Sequence, residues 1–295
     1  MGVLQEFVKG NIAPAAMSVG GALRPEAASR LIDLIVDQSG FLRGVTIERM
    51  QKLKKDINVM DILNRILVRV PEGTEPSDNQ KSGVQQKGKT LDALNMQMFQ
   101  TILFSTIEDN KGNPAYEDTL VQMFARKFAN EAEDLAMNGT AETGADFLTL
   151  NKGYIQLAKD ATTSIKVDLS GGELTELSLI IAAQQERFKG RSVFVMGRKK
   201  YDTLIDYMGQ HAAGLMYLIQ GNVPTYKGYN LVISPYMPDG YVLFTPLDNF
   251  IYGICTDIRR FREVRGTKRC IDYTFDIAVD FAYAVDEAVV IGIPT

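Results

Sequence analysis

The period of the apolar positions changes several times along this chain, and each change marks an element. Up to about Leu23 the sequence is rich in Gly, Ala and Ser with weak periodicity, which predicts an extended arm. Pro25 then opens a helix, at a position where its missing N–H costs nothing. Leu31, Leu34 and Ile35 form the helix's apolar stripe, and it stops near Gly40. From Ile62 to Val70 the period falls to two: Ile62, Ile66, Val68 and Val70 share one face of a strand, with Arg65 and Arg69 on the other. A polar tract from Pro71 to Lys89 follows, and Leu94, Met96 and Met98 alternate with Asn95 and Gln97 in a returning strand. The two strands predict a long hairpin with a long polar tip. Structureless stretches above about 12–15 residues are uncommon in compact domains and usually functional or disordered. A lone hairpin is marginal in water, so its apolar face must lie on something.

Asn113 and Pro114 provide a cap and a first helical position. Leu120, Phe124, Phe128 and Leu135 then recur at helical spacing up to a stop at Asn138-Gly139. The predicted helix is about 37 Å long, at least twice the average. Leu174, Leu177, Ile181 and Phe188 predict an amphipathic helix ending at Gly190, Ser192 to Met196 a buried strand, and Lys200 to Met208 another helix. Gly209 to Val223 reads as a loop, and short strands follow at Tyr229–Ile233 and Tyr241–Phe244. The longest signal comes last. Ile271, Tyr273, Phe275, Ile277, Val279, Phe281, Tyr283 and Val285 alternate without a break, a strand of about 50 Å where 5–6 residues are typical. Its odd-numbered residues are expected on the long helix. A very long helix, a very long strand and a projecting hairpin make a molecule with excess surface, suited to packing against neighbours.

Composition narrows this further. A formal net charge of −4 argues against a whole-protein grip on nucleic acid. No apolar stretch approaches a membrane span, and residues 1–10 lack the apolar run of a secretory signal. Cys255 and Cys270, the two cysteines, read as reduced thiols of a cytoplasmic product, without zinc spacing. His211 is the one histidine, so a Ser-His-Asp or Cys-His hydrolase would have to use it as base. Its Gly/Ala-rich surroundings read as an exposed loop. No phosphate-binding or dinucleotide fingerprint is present, and no cofactor is expected. Asp272, Asp276 and Asp280 share one face of the long strand, but residues four apart stand about 13 Å apart, too far for one ion. They are read as a solvated acidic face.

Several segments, in order, resemble the major capsid proteins of tailed double-stranded-DNA bacteriophages, whose fold is named after phage HK-ninety-seven, and its contractile-tailed branch in particular. They are Gln38-Ser39-Gly40-Phe41-Leu42, residues 62–105, Glu133-Asp134-Leu135-Ala136-Met137-Asn138-Gly139, Lys152-Gly153-Tyr154-Ile155, Phe194-Val195-Met196-Gly197-Arg198, Ser234-Pro235-Tyr236-Met237-Pro238, Leu247-Asp248-Asn249-Phe250 and Ile271-Asp272-Tyr273. The resemblance implies an α+β fold with an N-arm and first helix at 1–40 and a connection at 41–61. It implies an extended E-loop at 62–105, a peripheral domain with the spine helix at 106–165, a mainly axial domain at 166–247 and closing peripheral strands at 248–295. It also implies a structural, non-enzymatic role: self-assembly through pentamers and hexamers into an icosahedral shell, from procapsid to mature virion, in the host bacterial cytoplasm. Implied partners are portal and scaffolding proteins, decoration proteins, and double-stranded DNA enclosed without sequence-specific binding. No long scaffolding segment precedes the arm, which points to a separate scaffold or a mature product. A compartment shell of encapsulin type shares the fold and is the alternative; a hydrolase built on His211 is the alternative from another class. Some relatives form a Lys–Asn crosslink from the E-loop; Lys81, Lys87 and Lys89 supply lysines, but no full set of reacting residues matches.

The candidate contacts between subunits are the cationic side chains of the hairpin and of a basic turn. They are Arg65, Arg69, Lys81, Lys87 and Lys89, the loop residue His211, and Arg259, Arg260, Arg262 and Arg265 around a turn at Gly266. In a net-negative chain the basic turn is read as pairing with acidic groups of a neighbour rather than with DNA.

Overall fold

A computed structural model of the chain describes residues 21–22, 25–61, 85–109, 116–141, 146–209, 219–220 and 223–294. The extended arm before Gly21, the strand from Ile62 to Val70 and the cap at Asn113 lie outside these residues.

One strand organises the first sheet, and it is the one the alternation predicted: β14 (Cys270–Tyr283). Along one edge it pairs with β5 (Leu94–Leu103). Along the other it pairs first with β13 (Arg259–Arg265) and then with β12 (Phe250–Cys255), all antiparallel. β2 (Thr46–Met50) adds to β12 in parallel, and β1 (Gly21–Ala22) adds to β13. The odd residues Phe275, Ile277, Val279, Phe281 and Tyr283 are buried. α1 (Pro25–Gln38) and the long α3 (Tyr116–Asn138) share that core. α3 spans about 35 Å at 1.5 Å per residue. The ring of Phe124 meets that of Phe275 at 6.4 Å. The far end of β14 departs from expectation. Phe281 and Tyr283 pack on Tyr154, at the start of α4 (Tyr154–Asp160), with ring centroids 5.5 and 5.4 Å away. Phe41 and Phe250 complete this aromatic cluster. Its buried hydroxyls are satisfied: Tyr154 donates to the Ile251 carbonyl at 2.9 Å and Tyr283 to the Tyr154 carbonyl at 3.0 Å. Burial pushes both phenols well above their ordinary range, so they serve as fixed donors.

α3 ends at Gly139 for a reason other than a left-handed cap. A Cβ there would stand 2.3 Å from the Asn151 carbonyl oxygen, so only glycine allows the chain to cross Gly153. Beside this crossing, Asn151 donates to the Val279 carbonyl at 2.9 Å and so ties the helix end to β14.

The second sheet runs β6 (Ile165–Leu169), β15 (Val290–Pro294), β11 (Val242–Pro246), β7 (Ser192–Gly197), β10 (Tyr229–Ser234), β9 (Val223–Tyr226), β8 (Ile219–Gln220). β7 and β11 are buried on both faces: Val193, Val195 and Leu243 face the first core, while Phe194, Met196, Val242 and Phe244 face a second. α5 (Glu173–Ala183) and α7 (Arg198–Gly209) cover that second core. The single helix expected from Leu174 to Phe188 is two, α5 and α6 (Glu186–Lys189). The break falls at Gln184, whose backbone is extended and whose buried amide donates to the Ala288 carbonyl at 2.8 Å. The expected loop from Gly209 to Val223 contains β8, and only part of it is described.

The hairpin also differs from expectation. β3 (Lys54–Asp61) pairs with β4 (Gln85–Asp92) in full antiparallel register, from Lys54 opposite Asp92 to Asp61 opposite Gln85. Leu94–Leu103 is not an arm of it. Those residues are drawn into the first sheet because Met96, Met98 and Ile102 find the core beside β14. The true arms are mostly polar, so an apolar period of two does not reveal them.

Candidate assembly interface

The hairpin is seated by a knob and a clamp. Leu91 is fully buried among Met50, Ile251, Cys255, Ala278 and Ala282. Gly253 makes the socket: a Cβ there would stand 2.9 Å from the Leu91 Cδ1 atom. Asp280 is the clamp. Its carboxylate accepts the Asp92 N–H at 2.7 Å and the Phe281 N–H at 2.8 Å. Burial raises its carboxyl above the ordinary carboxylate range, while those hydrogen bonds pull the other way. The acidic row is therefore not a solvated face. Asp272 accepts the Thr101 hydroxyl at 2.7 Å and pairs with Arg265 at 2.8 Å. Asp276 buries one carboxylate oxygen that has no hydrogen-bond partner among the described residues. Sequence alternation reads all three as outward, because it cannot see that the hairpin base meets Asp280 and that Thr101 and Arg265 flank Asp272.

The candidate contact residues do not converge on one site. Arg65, Arg69, Lys81 and His211 lie outside the described residues. Lys87 is in β4 at the register position opposite Val59. Lys89 pairs with Asp286 at the hairpin base. Arg259 and Arg265 stand on the outer face of β13, with Phe261 and Glu263 between them. Arg259 pairs with Asp257 at 3.1 Å, and Arg265 also approaches Glu263 at 3.3 Å. Arg260 and Arg262 take the alternate positions, opposite Phe275 and Tyr273, on the face that carries the core. The basic turn is thus part-neutralised within its own chain. Among the described residues no group of three or more His, Cys, Asp or Glu side chains is placed to hold a metal ion.

Two features were not legible from residue chemistry. The first is a buried knot. Glu133 of α3 accepts the Ser39 hydroxyl at 2.6 Å and the Ser234 hydroxyl at 2.7 Å, and all three side chains are buried. Asn138 adds a bond to the Tyr236 carbonyl at 2.8 Å. Three of the resembling segments therefore meet at one carboxylate, joining α1, the end of α3 and the end of β10; their common occurrence was the available signal. The second is the outer edge of β5. Phe99 is 69% exposed there, and Leu94 and Leu103 are also exposed. A groove of about 320 Å³ runs between β5 and α3, lined by Met96, Met98, Phe124, Phe128 and Phe147.

No family model matches the sequence. Over 172 residues the chain is 28% identical to the putative prophage capsid protein YqbE of Bacillus subtilis (strain 168), an alignment that takes in 58% of this chain and 54% of that protein. The chain spans about half the length of that curated relative. Two solved structures superpose on most of it. One is the satellite phage P4 procapsid including size determination (Sid) protein, with a TM-score of 0.69 at 12% identity, covering 90% of this chain and 98% of that one. The other is the capsid of an empty GTA particle, with a TM-score of 0.63 at 14% identity, covering 98% and 97%. The chain has the phage capsid fold of HK-ninety-seven type.

Proposed function

We propose that this chain is a major capsid protein of a tailed double-stranded-DNA bacteriophage, a structural subunit that assembles through pentamers and hexamers into the icosahedral shell enclosing the genome. The observation that carries the reading is the superposition of 90% and 98% of the chain on chains of two capsid structures. In this reading α3 is the spine helix, the sheet around β14 the peripheral domain and the sheet around β7 the axial domain. The β3–β4 hairpin with residues 62–84 is the E-loop, reaching over a neighbouring copy. Arg259 and Arg265 contact acidic groups of a neighbour. Scaffolding, portal and decoration proteins are the expected partners, and the subunit acts in the virion after assembly in the host cytoplasm. The named prophage relative favours a genome shell over a cargo compartment.

The test is sedimentation and electron microscopy of the purified chain, alone and coexpressed with its scaffold. Closed shells built of capsomers are expected. A chain that stays monomeric under every condition overturns the reading, and shells filled with an enzyme cargo instead of DNA replace it with the compartment alternative.

A further inference from the structure

β5 is an edge strand without the protection that edge strands usually carry. Its sequence, Leu94–Leu103, contains no charged residue, no proline and no glycine. Soluble proteins blunt such edges with charge, Pro or bulges because the unpaired N–H and C=O groups accept a further strand. Among the described residues the second edge of β5 has no partner. At its middle stands Phe99, 69% exposed and the most exposed of the large apolar side chains described.

The lack of charge says which strand fits. A two-fold contact sets a surface against its own copy, so a charge near the axis meets its own kind. β13, on the other side of β14, carries Arg259, Arg260, Arg262 and Arg265, and pairing with itself would bring arginines together. β5 paired with itself brings no charges together. Turned antiparallel about Phe99, it sets Phe99 opposite Phe99 and Gln97 opposite Thr101 on one face, and Met98 opposite Gln100 and Met96 opposite Ile102 on the other. Each face thus meets the same face of the second copy, as side chains directly opposite in an antiparallel pair must. An aromatic pair sits at the centre, an amide faces a hydroxyl beside it, and the methionines lie at the groove between β5 and α3. Asp272 and Asp276 stand one strand back on β14. The two copies of β14 would be about 14 Å apart, beyond the screening length at physiological salt.

We propose that β5 is a self-pairing strand: two copies of this chain join edge to edge, antiparallel, with Phe99 on the two-fold axis. The sheet around β14 then runs unbroken from one subunit into the other. A closed ring of five or six subunits is built from contacts in which each surface meets a different one. A surface that meets itself therefore points out of the ring, and within a shell it joins neighbouring capsomers. That placement rests on the shell-forming reading; the pairing itself does not.

The experiment uses the axis, where a residue meets only itself. Phe99→Lys and Phe99→Glu are made in the full chain, and self-association is read by sedimentation and shell yield by electron microscopy. Each variant alone is expected to associate about tenfold more weakly, because like charges stand directly opposite, and an equal mixture of the two to recover. Phe99→Cys under mild oxidation is expected to give disulfide-linked dimers, since Cys255 and Cys270 are buried, whereas Asn95→Cys is not. Gln97→Cys and Thr101→Cys, which leave Phe99 in place, are expected to link when mixed and not alone. Charged variants that the mixture does not rescue, or linked dimers no more abundant from Phe99→Cys than from Asn95→Cys, overturn the inference. Normal shells with that result leave the shell reading intact. Dimers linked at Phe99→Cys from a chain that never builds shells uphold the pairing and overturn the shell reading.

Discussion

The two sheets of this protein solve burial in opposite ways. The sheet around β7 is closed: every residue of β7 and β11 is buried, with side chains alternating between two cores. The sheet around β14 is closed on one face only. Its other face is covered at the end nearest the hairpin base by Leu91 and its neighbours, and carries exposed Phe99 and Phe261 on either side of Thr274 at the other end. One sheet is complete within its chain, while the other leaves aromatic groups and an uncharged edge in water; on the proposed function the second is the part expected to meet neighbouring copies. Exposed apolar surface of this kind marks interaction sites.

Substitutions can break or sharpen this contrast. The largest effect is expected at Phe194, which is fully buried and packs on Phe244 at 4.4 Å. Phe194→Ala should cost about 3–5 kcal/mol, read as a lower denaturation midpoint or loss of soluble protein. An unchanged midpoint would mean that the second sheet is not closed. Gly253→Ala comes next. Its new methyl group would meet Leu91 at the hairpin socket, and about 1–3 kcal/mol should be lost through overpacking. Hydrogen exchange should rise at Gln85–Asp92 and not in β7; a uniform rise would show that the hairpin is no separate unit.

Asp280 gives a smaller, pH-dependent effect. Its folded carboxyl titrates above the ordinary range, chiefly through burial. It therefore contributes stability that is complete below the unfolded-state pKa and lost as pH rises through the raised folded value. Asp280→Asn removes this slope, so the stability of the variant relative to the parent should improve as pH rises across that window. Asp280→Ala should cost about 1 kcal/mol more than Asn, because the Asn amide oxygen keeps an acceptor for one of the Asp92 and Phe281 N–H groups and Ala keeps none. Denaturant titrations of the three proteins over a pH series decide both points. The smallest stability effect belongs to Phe99. Phe99→Ser should change the monomer's stability by less than about 0.5 kcal/mol, as exposed sites do, yet lower shell yield. A large loss of monomer stability would place Phe99 in the subunit's own core.

Elements whose apolar positions lie on one buried face were legible in the sequence. The Phe124/Phe128/Leu135 stripe and the alternation from Ile271 to Val285 correspond to α3 and β14 within two or three residues at each described end. Position in the fold was not legible where the decisive partner is remote. Leu94–Leu103 looked like half of a hairpin because nothing local shows that its partner is a strand some 180 residues on, from Val279 opposite Leu94 to Cys270 opposite Leu103. Lys54–Asp61 and Gln85–Asp92 are too polar to announce themselves, and their fully buried anchor, Leu91, has meaning only against Gly253. Among the contact candidates, charge marked the residues correctly as cationic, but Lys89, Arg259 and Arg265 find acidic partners within the chain. The β5 edge carries no charge, so no charged motif in the sequence marks it.

The placement of β14 and β15 has a consequence for the timing of folding. β14 is the strand to which β5, β12 and β13 attach, and β15 joins β6 to β11. Both leave the ribosome after every strand they join. Synthesis proceeds at about 5–20 residues per second, and long-range pairing is slow to form. Neither sheet can close, and the β5 edge cannot be presented in register, until these strands arrive. A chain interrupted before Cys270 would lack the centre of one sheet and the link of the other. The order of strands along the polypeptide thus delays presentation of the uncharged β5 edge until the strand that holds β5 in place has been made.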